Sequence, residues 1–199
     1  MKLDFRQPTI LFGGSFDPVH EGHLHVAREA RQALPQFKQI VFVPAAHSPG
    51  RPGALASPEL RLEMLRSAVG PLGFKVWDWE ISRGGTSFTV DTLEEAHAQG
   101  AQELLWLLGA DAYARFSTWK NPERIRALCH LLVVDRPGQE SYSQNPADRF
   151  IGIPPHPASS TAIRASLAAG EARPQWLPEP AAAVLEKLLP GTNPYVKKI

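Results

Sequence analysis

Thr9-Ile-Leu-Phe12-Gly13-Gly14-Ser15-Phe16-Asp17-Pro18-Val19-His20-Glu21-Gly22-His23-Leu24 is the stretch on which the fold turns. Its apolar run, Thr9 to Phe12, stops at two glycines, and a helix-like pattern begins near Glu21. That order spells a strand, a tight turn and a helix. Glycines at such a turn let the backbone approach a ligand closely, and a helix start offers unpaired N–H groups and a positive dipole end suited to phosphate. His20 and His23 lie three apart, so both rings can face one ligand across the first helical turn. Gly22 between them leaves room for a phosphate or a base.

Outward from this stretch, apolar runs recur at Ile10–Phe12, Ile40–Val43, Phe74–Ile81, Leu104–Leu108 and Leu131–Val134. Helix-like stretches separate most of them, at the spacing of βαβ units. Leu104-Leu-Trp-Leu-Leu108 lacks alternation, as a central parallel strand covered on both faces should. Trp77, Trp79 and Ile81 do alternate, which predicts a strand with one polar face. Helices are expected near 21–34, 58–69, 89–98, 122–127, 161–169 and 180–188. Ser57 with Pro58, Asn121 with Pro122 and the Ser159–Thr161 cluster supply starts, and Gly170 a stop. Pro44–Ser57 and Arg136–Arg149 read as loops. The expectation is an α/β protein: an open parallel sheet with helices on both faces and ligands at the strands' carboxyl ends. Gly13, Pro44, Gly109 and Arg136 all fall at those ends. The chain reads as one domain over residues 1–199, with a C-terminal helical portion from about 160.

Composition narrows the function. With 199 residues, 43% hydrophobic and 21% charged, the chain suits a soluble globular protein that buries most of its apolar surface. A net charge of +1 gives no global field toward nucleic acid or an acidic membrane, so anion binding must be local. Cys129 is the one cysteine, which excludes an internal disulfide and suits a reducing cytoplasm. Its neighbours Leu128 and Leu131 favour an inert buried thiol. No apolar run approaches membrane length and no signal core is visible, so a cytoplasmic location is expected. Neither G-x-G-x-x-G nor G-x-x-x-x-G-K-[ST] occurs, which argues against a dehydrogenase and a P-loop kinase.

By residue type alone, His20 and His23 are compatible with core, metal-ligand or phosphate-binding roles. Zinc is the weak choice, because the metalloprotease motif needs four-residue spacing and a third ligand. Ser160, Thr161 and Arg164 read either as a capped helix start with a surface arginine or as a second anion site. Asp111 after the central strand is often a mere helix cap. Trp119, beside Thr118, Lys120 and Asn121, reads as loop.

Gly13-Gly-Ser-Phe-Asp-Pro-Val-His20-Glu-Gly-His23 resembles the GGxFDPxHxGH signature of the H-x-G-H nucleotidyltransferases and, in this long form, the bacterial nicotinate-nucleotide adenylyltransferases. Ser87-Phe-Thr-Val-Asp-Thr-Leu93 resembles that family's S-Y-T-x-D-T-L, and Gly109-Ala-Asp111 with Phe116-Ser-Thr-Trp119 its G-x-D and F-x-x-W. Val134-Asp-Arg136-Pro-Gly138 resembles V-x-R-P-G, and Ser159-Ser-Thr-Ala-Ile-Arg164 resembles S-S-T-x-I-R. These stand in the family's order from about Ile10 to Tyr195. The resemblance implies a Rossmann-like fold of the nucleotidyltransferase type. It implies transfer of AMP from ATP to nicotinate mononucleotide, with pyrophosphate leaving, as a step of NAD synthesis, and Mg²⁺ bound with the ATP phosphates.

Carried onto this sequence, His20 and His23 would bind phosphates and stabilise the transition state without a covalent intermediate. Gly13, Gly14, Ser15, Phe16, Gly109, Asp111, Arg136, Ser160, Thr161 and Arg164 would hold ATP, with Arg164 gripping its outer phosphates. Backbone N–H groups at Phe88 and Thr89 would grip the nicotinate carboxylate, and Trp119 would stack on the pyridine ring. No resident metal site is expected. The implied partners are ATP and nicotinate mononucleotide, with neither nucleic acid nor membrane, and a homo-oligomer is compatible with the chain. One segment departs from the family: P-N-x-x-P-P-H-K is Pro44-Ala-Ala-His47-Ser-Pro49-Gly50-Arg51 here, with His47 and Arg51 as the available substitutes. Rivals are an H-x-G-H transferase for nicotinamide mononucleotide or phosphopantetheine, and a nucleotide sensor without turnover. The Ser87–Leu93 and Phe116–Trp119 matches argue against phosphopantetheine.

Overall fold

The computed structural model describes residues 3–50, 53–135, 145–188 and 191–196. Its centre is the expected parallel sheet, with six strands: β1 (Thr9–Gly14), β2 (Gln39–Pro44), β3 (Lys75–Val76), β4 (Leu104–Gly109), β5 (His130–Asp135) and β6 (Arg149–Gly152). They lie in the order β3-β2-β1-β4-β5-β6, and every pairing is parallel. Chain direction across the sheet reverses between β1 and β4, which pair from Thr9↔Leu104 to Phe12↔Leu107. Such a reversal opens a crevice at the strands' carboxyl ends.

Successive strand residues feed opposite faces, which explains the unbroken apolar runs. Ile10, Ile40, Phe42, Leu105 and Leu107 enter one core. Leu11, Val41, Val43, Leu104, Trp106 and Leu108 enter the other. Four helices cover the first face: α1 (Glu21–Ala33), α2 (Pro58–Val69), α7 (Ser160–Ala168) and α8 (Glu179–Glu186). The second is covered by α4 (Thr89–Ala98), α5 (Ala110–Ala114) and α6 (Pro122–Leu128), beside the short α3 (Trp79–Arg83).

The helix starts follow their sequence signals. Ser57 accepts the Leu60 N–H at 3.2 Å and Ser159 accepts the Ala162 N–H at 3.1 Å, each satisfying an otherwise orphan donor. Gly170 ends α7 with φ of +90°, a backbone that side chains rarely adopt.

One expectation fails. Phe74–Ile81 is not one strand: β3 ends at Val76, and Trp79 opens α3. The alternating Trp77, Trp79 and Ile81 imitate a strand, yet the indoles stack at 5.8 Å and tertiary packing turns the chain. Of the Arg136–Arg149 stretch expected as loop, residues 136–144 lie outside the described residues and 145–148 are neither helix nor strand; they lead into β6, whose four residues are too few to show periodicity. α5, just five residues, was likewise invisible.

Candidate functional site

Two cavities open at the carboxyl ends of β1 and β4, and Phe12, Leu107 and Gly109 line both. The larger is about 840 Å³ and is lined by Gly13, Gly14 and Ser15 from the glycine turn, Phe88 and Thr89 at the start of α4, and Trp119. The smaller, about 300 Å³, is lined by His20, Gly22 and His23 on one side and Gly109 and Asp111 on the other. Residues of the motifs between Gly13 and Trp119 therefore divide between two adjoining chambers.

Gly13 has a steric reason to be glycine: a Cβ there would lie 2.4 Å from the Trp106 ring, which also faces the larger cavity. Gly22 is pressed in the same way, its Cβ position lying 3.0 Å from His20 Nδ1. A side chain at either position would push an aromatic ring into the space kept for a ligand.

His20 precedes α1 in extended backbone, and its N–H donates to His23 Nδ1 at 3.2 Å. Nδ1 of His23 is thus the acceptor, which leaves the proton of the neutral ring on Nε2. The rings stack, with centroids 3.7 Å apart and planes within 23°. Burial lowers the His20 pKa to about 4, with His156 adding to the effect. Burial also holds His23 well below its ordinary value, with His20 contributing. Both rings are neutral at pH 7. His20 Nδ1 is fully buried and has no hydrogen-bond partner among the described residues, a polar atom in need of one.

The first turn of α1 is less open than its sequence suggests. Glu21 N–H donates to Trp176 O at 3.0 Å, and the His23 and Leu24 N–H groups turn back to His20 O. Gly22, which lines the smaller cavity, keeps the N–H without a partner among the described residues.

Phe16 lines neither cavity. It is 1% exposed and packs against Phe12, Phe42 and the His23 ring. Its φ of +47° is costly for an aromatic residue. Neighbouring contacts fix it. Asp17 accepts the N–H groups of Leu55 and Ala56 and the Tyr195 hydroxyl, all within 3.1 Å. Arg61, 1% exposed, donates to the carbonyls of Ser15, Ala46 and Ala56. Burial works against its charge while Asp17 supports it. Sequence reasoning missed this arginine, which sits in α2 like any helical surface cation.

The second anion motif reaches the first by touching its loop. Ser160 Oγ donates to Pro18 O at 3.0 Å, and Arg164 donates to Asp17 O at 2.7 Å and to Thr161 at 3.2 Å. None of the three lines either cavity. Arg136 and Arg51 lie outside the described residues. His47 is exposed; its backbone pairs with the strand-like turn at Thr86–Ser87, and Ser48, Pro49 and Gly50 line the larger cavity instead.

On the wall opposite the glycine turn, Phe88 precedes α4, so the Thr89 N–H lies outside that helix's own ladder. Lys120 Nζ stands 4.4 Å over the Phe88 ring and pairs with Asp91 at 2.9 Å, and Trp119 packs on Phe116. Lys120 and Arg115 add positive charge to this chamber. Also missed were Glu80 in its wall and His156 in the smaller one. Cys129 matches expectation: burial pushes its thiol up to about 12, so it is inert.

A family model described as cytidylyltransferase-like matches residues 11–166. A probable nicotinate-nucleotide adenylyltransferase of Rhodopirellula baltica is 37% identical over 192 residues, covering 88% of this chain and 89% of that protein. One of Marinobacter nauticus, likewise named probable, is 33% identical over 93% of this chain and 87% of its own length. Among solved structures, Plasmodium falciparum nicotinic acid mononucleotide adenylyltransferase complexed with NaAD matches with a TM-score of 0.72 at 16% identity, over 91% of this chain and 95% of that one. At that identity the likeness speaks to the fold.

Proposed function

Because the chain belongs to the cytidylyltransferase-like family, and within it to the nicotinate-nucleotide adenylyltransferases, we infer that it transfers the adenylyl group of ATP to nicotinate mononucleotide, giving nicotinate adenine dinucleotide and pyrophosphate in NAD synthesis. The observation that carries the reading is the pair of adjoining cavities sharing Phe12, Leu107 and Gly109. A reaction that joins two nucleotides through one phosphorus needs two subsites meeting at one place.

ATP is assigned to the histidine-lined chamber and the mononucleotide to the aromatic one. A phosphate oxygen of the mononucleotide attacks the α-phosphorus, the bond to the bridging oxygen breaks, and pyrophosphate departs. The attacking phosphate is already an anion at pH 7, so no general base is required. Catalysis then rests on alignment and on donors aimed at charge growing on the phosphoryl and leaving oxygens. His23 Nε2–H and the Gly22 N–H are suited to that task. Arg164 is assigned to the outer phosphates, which it would meet by exchanging its hold on the Asp17 carbonyl.

Among the described residues no three His, Cys, Asp or Glu side chains are placed to hold a metal ion. We therefore treat Mg²⁺ as entering on the ATP phosphates, as part of the substrate. No helix of the described residues is long and apolar enough to cross a membrane.

Pyrophosphate release from ATP supplied with nicotinate mononucleotide, nicotinamide mononucleotide or phosphopantetheine tests the assignment. Turnover is expected with the first and far less with the others. No release with any acceptor would favour a sensing role, and turnover with phosphopantetheine alone would move the chain to another branch of the superfamily.

A further inference from the structure

Glu80 is 4% exposed, yet it contributes to the wall of the larger cavity, and the chemistry above gives it no part. Its carboxylate accepts the Thr92 hydroxyl from α4, and the same hydroxyl lies 3.4 Å from Phe88 O. Ser87 Oγ accepts the Ala46 N–H at 2.9 Å, and the Ser87 N–H donates to His47 O at 2.9 Å. Ala46 O is in turn held by the buried Arg61, whose other branch holds Ser15 O in the glycine turn. Hydrogen bonds thus run from the glycine turn, through the atypical loop after β2, to Ser87 on one side of the α4 start, while Glu80 holds Thr92 on the other.

Ser87 and Thr92 flank Phe88 and Thr89, two residues that line the mononucleotide chamber. Glu80 therefore holds that segment from its α4 side, through Thr92. We propose that Glu80 is a positioning residue for substrate choice, aiming the Phe88 and Thr89 N–H groups at the acid group of the mononucleotide through the Thr92 hydroxyl. This rests on the functional reading above. A buried carboxylate is a poor choice for packing alone, since an apolar side chain would fill the space without desolvating a charge. It suits a task in which a hydroxyl must be held at a fixed point, because a carboxylate accepts and does not donate. Burial raises its pKa and the Thr92 hydroxyl opposes the rise.

Glu80→Gln keeps the shape but converts one acceptor into a donor. Thr92→Val keeps the β-branched shape and removes one hydroxyl. Steady-state kinetics of both variants, on the acid and amide mononucleotides and on ATP, provide the test. In Glu80→Gln, KM for nicotinate mononucleotide should rise about tenfold, ATP KM should stay within about twofold, and the preference for acid over amide should fall. Thr92→Val should do the same to a smaller extent, and it decides the matter alone if Glu80→Gln does not fold. A purely structural role would lower the melting temperature and kcat while moving both KM values together or not at all. That pattern would overturn the proposal. Turnover by the unsubstituted protein tests the functional reading separately. A wild type that uses nicotinate mononucleotide while Thr92→Val keeps its KM and its preference removes this inference only.

Discussion

His20 and His23 stack in a setting that opposes a proton on either ring, and this gives the fold a definite dependence on pH. The unfolded chain titrates histidine near its ordinary value, while folded His20 titrates at about 4. Below the ordinary value the unfolded state gains the proton first. The contribution is therefore intact above about pH 6.5 and is lost as pH falls toward 4, on the order of 3 kcal/mol for this ring. Urea midpoints measured across that window should fall, and a flat profile would contradict the burial of His20. An ATP phosphate beside the rings opposes the burial effect, so ATP binding near pH 6 should take up protons. Calorimetry in buffers of different ionisation enthalpy measures the uptake, and none would mean that the phosphates sit elsewhere. His23→Ala removes the Nε2 donor and should lower kcat on the order of a hundredfold. It also removes the acceptor for the His20 N–H, so a stability loss of about 1 kcal/mol should accompany it. Wild-type turnover would sink the assignment.

The start of α7 shows how one element serves two ends. Ser159 caps the helix, Ser160 and Arg164 tie it to Pro18 and Asp17, and Ile163 and Leu167 bury its inner face. Surface position and capping residues were legible in the sequence. The contact with a loop 147 residues earlier was not, because no local pattern encodes it. Arg164→Ala should weaken ATP more than nicotinate mononucleotide, by about tenfold for a lost charge-assisted contact. Titration with each ligand separately would show it, and equal weakening of both would make Arg164 a loop brace alone. β3 and α3 show the opposite failure. A period of two over Trp77, Trp79 and Ile81 is weak information, and Glu80 in α3 is held instead by the Thr92 hydroxyl of α4.

Across the whole molecule, Arg61 joins pieces that local sequence keeps apart. Its guanidinium serves the carbonyls of residues 15, 46 and 56, and Asp17 beside it receives the Tyr195 hydroxyl from the far end of the chain. Arg61→Leu leaves three carbonyls and a buried carboxylate without their cation. The expected loss is roughly 3–5 kcal/mol. Urea unfolding would measure it, and a variant within about 1 kcal/mol of wild type would show that the loops stand without the clamp. The sequence by itself determined the parallel α/β sheet and most helix starts, and its motifs singled out His20, His23, Phe88, Thr89 and Trp119, which line the cavities. Unbroken apolar runs, caps and a glycine turn are local patterns with local physical causes. Only the tertiary structure decided that these residues divide between two chambers, that both histidines are buried and neutral, and that Phe16 packs against His23. It also placed Arg61 among the loop carbonyls and Glu80 against Thr92 at the start of α4. Such facts depend on burial and on contacts between residues distant in the chain, and an arginine or glutamate on a short helix carries the same local signature whether it faces water or the core.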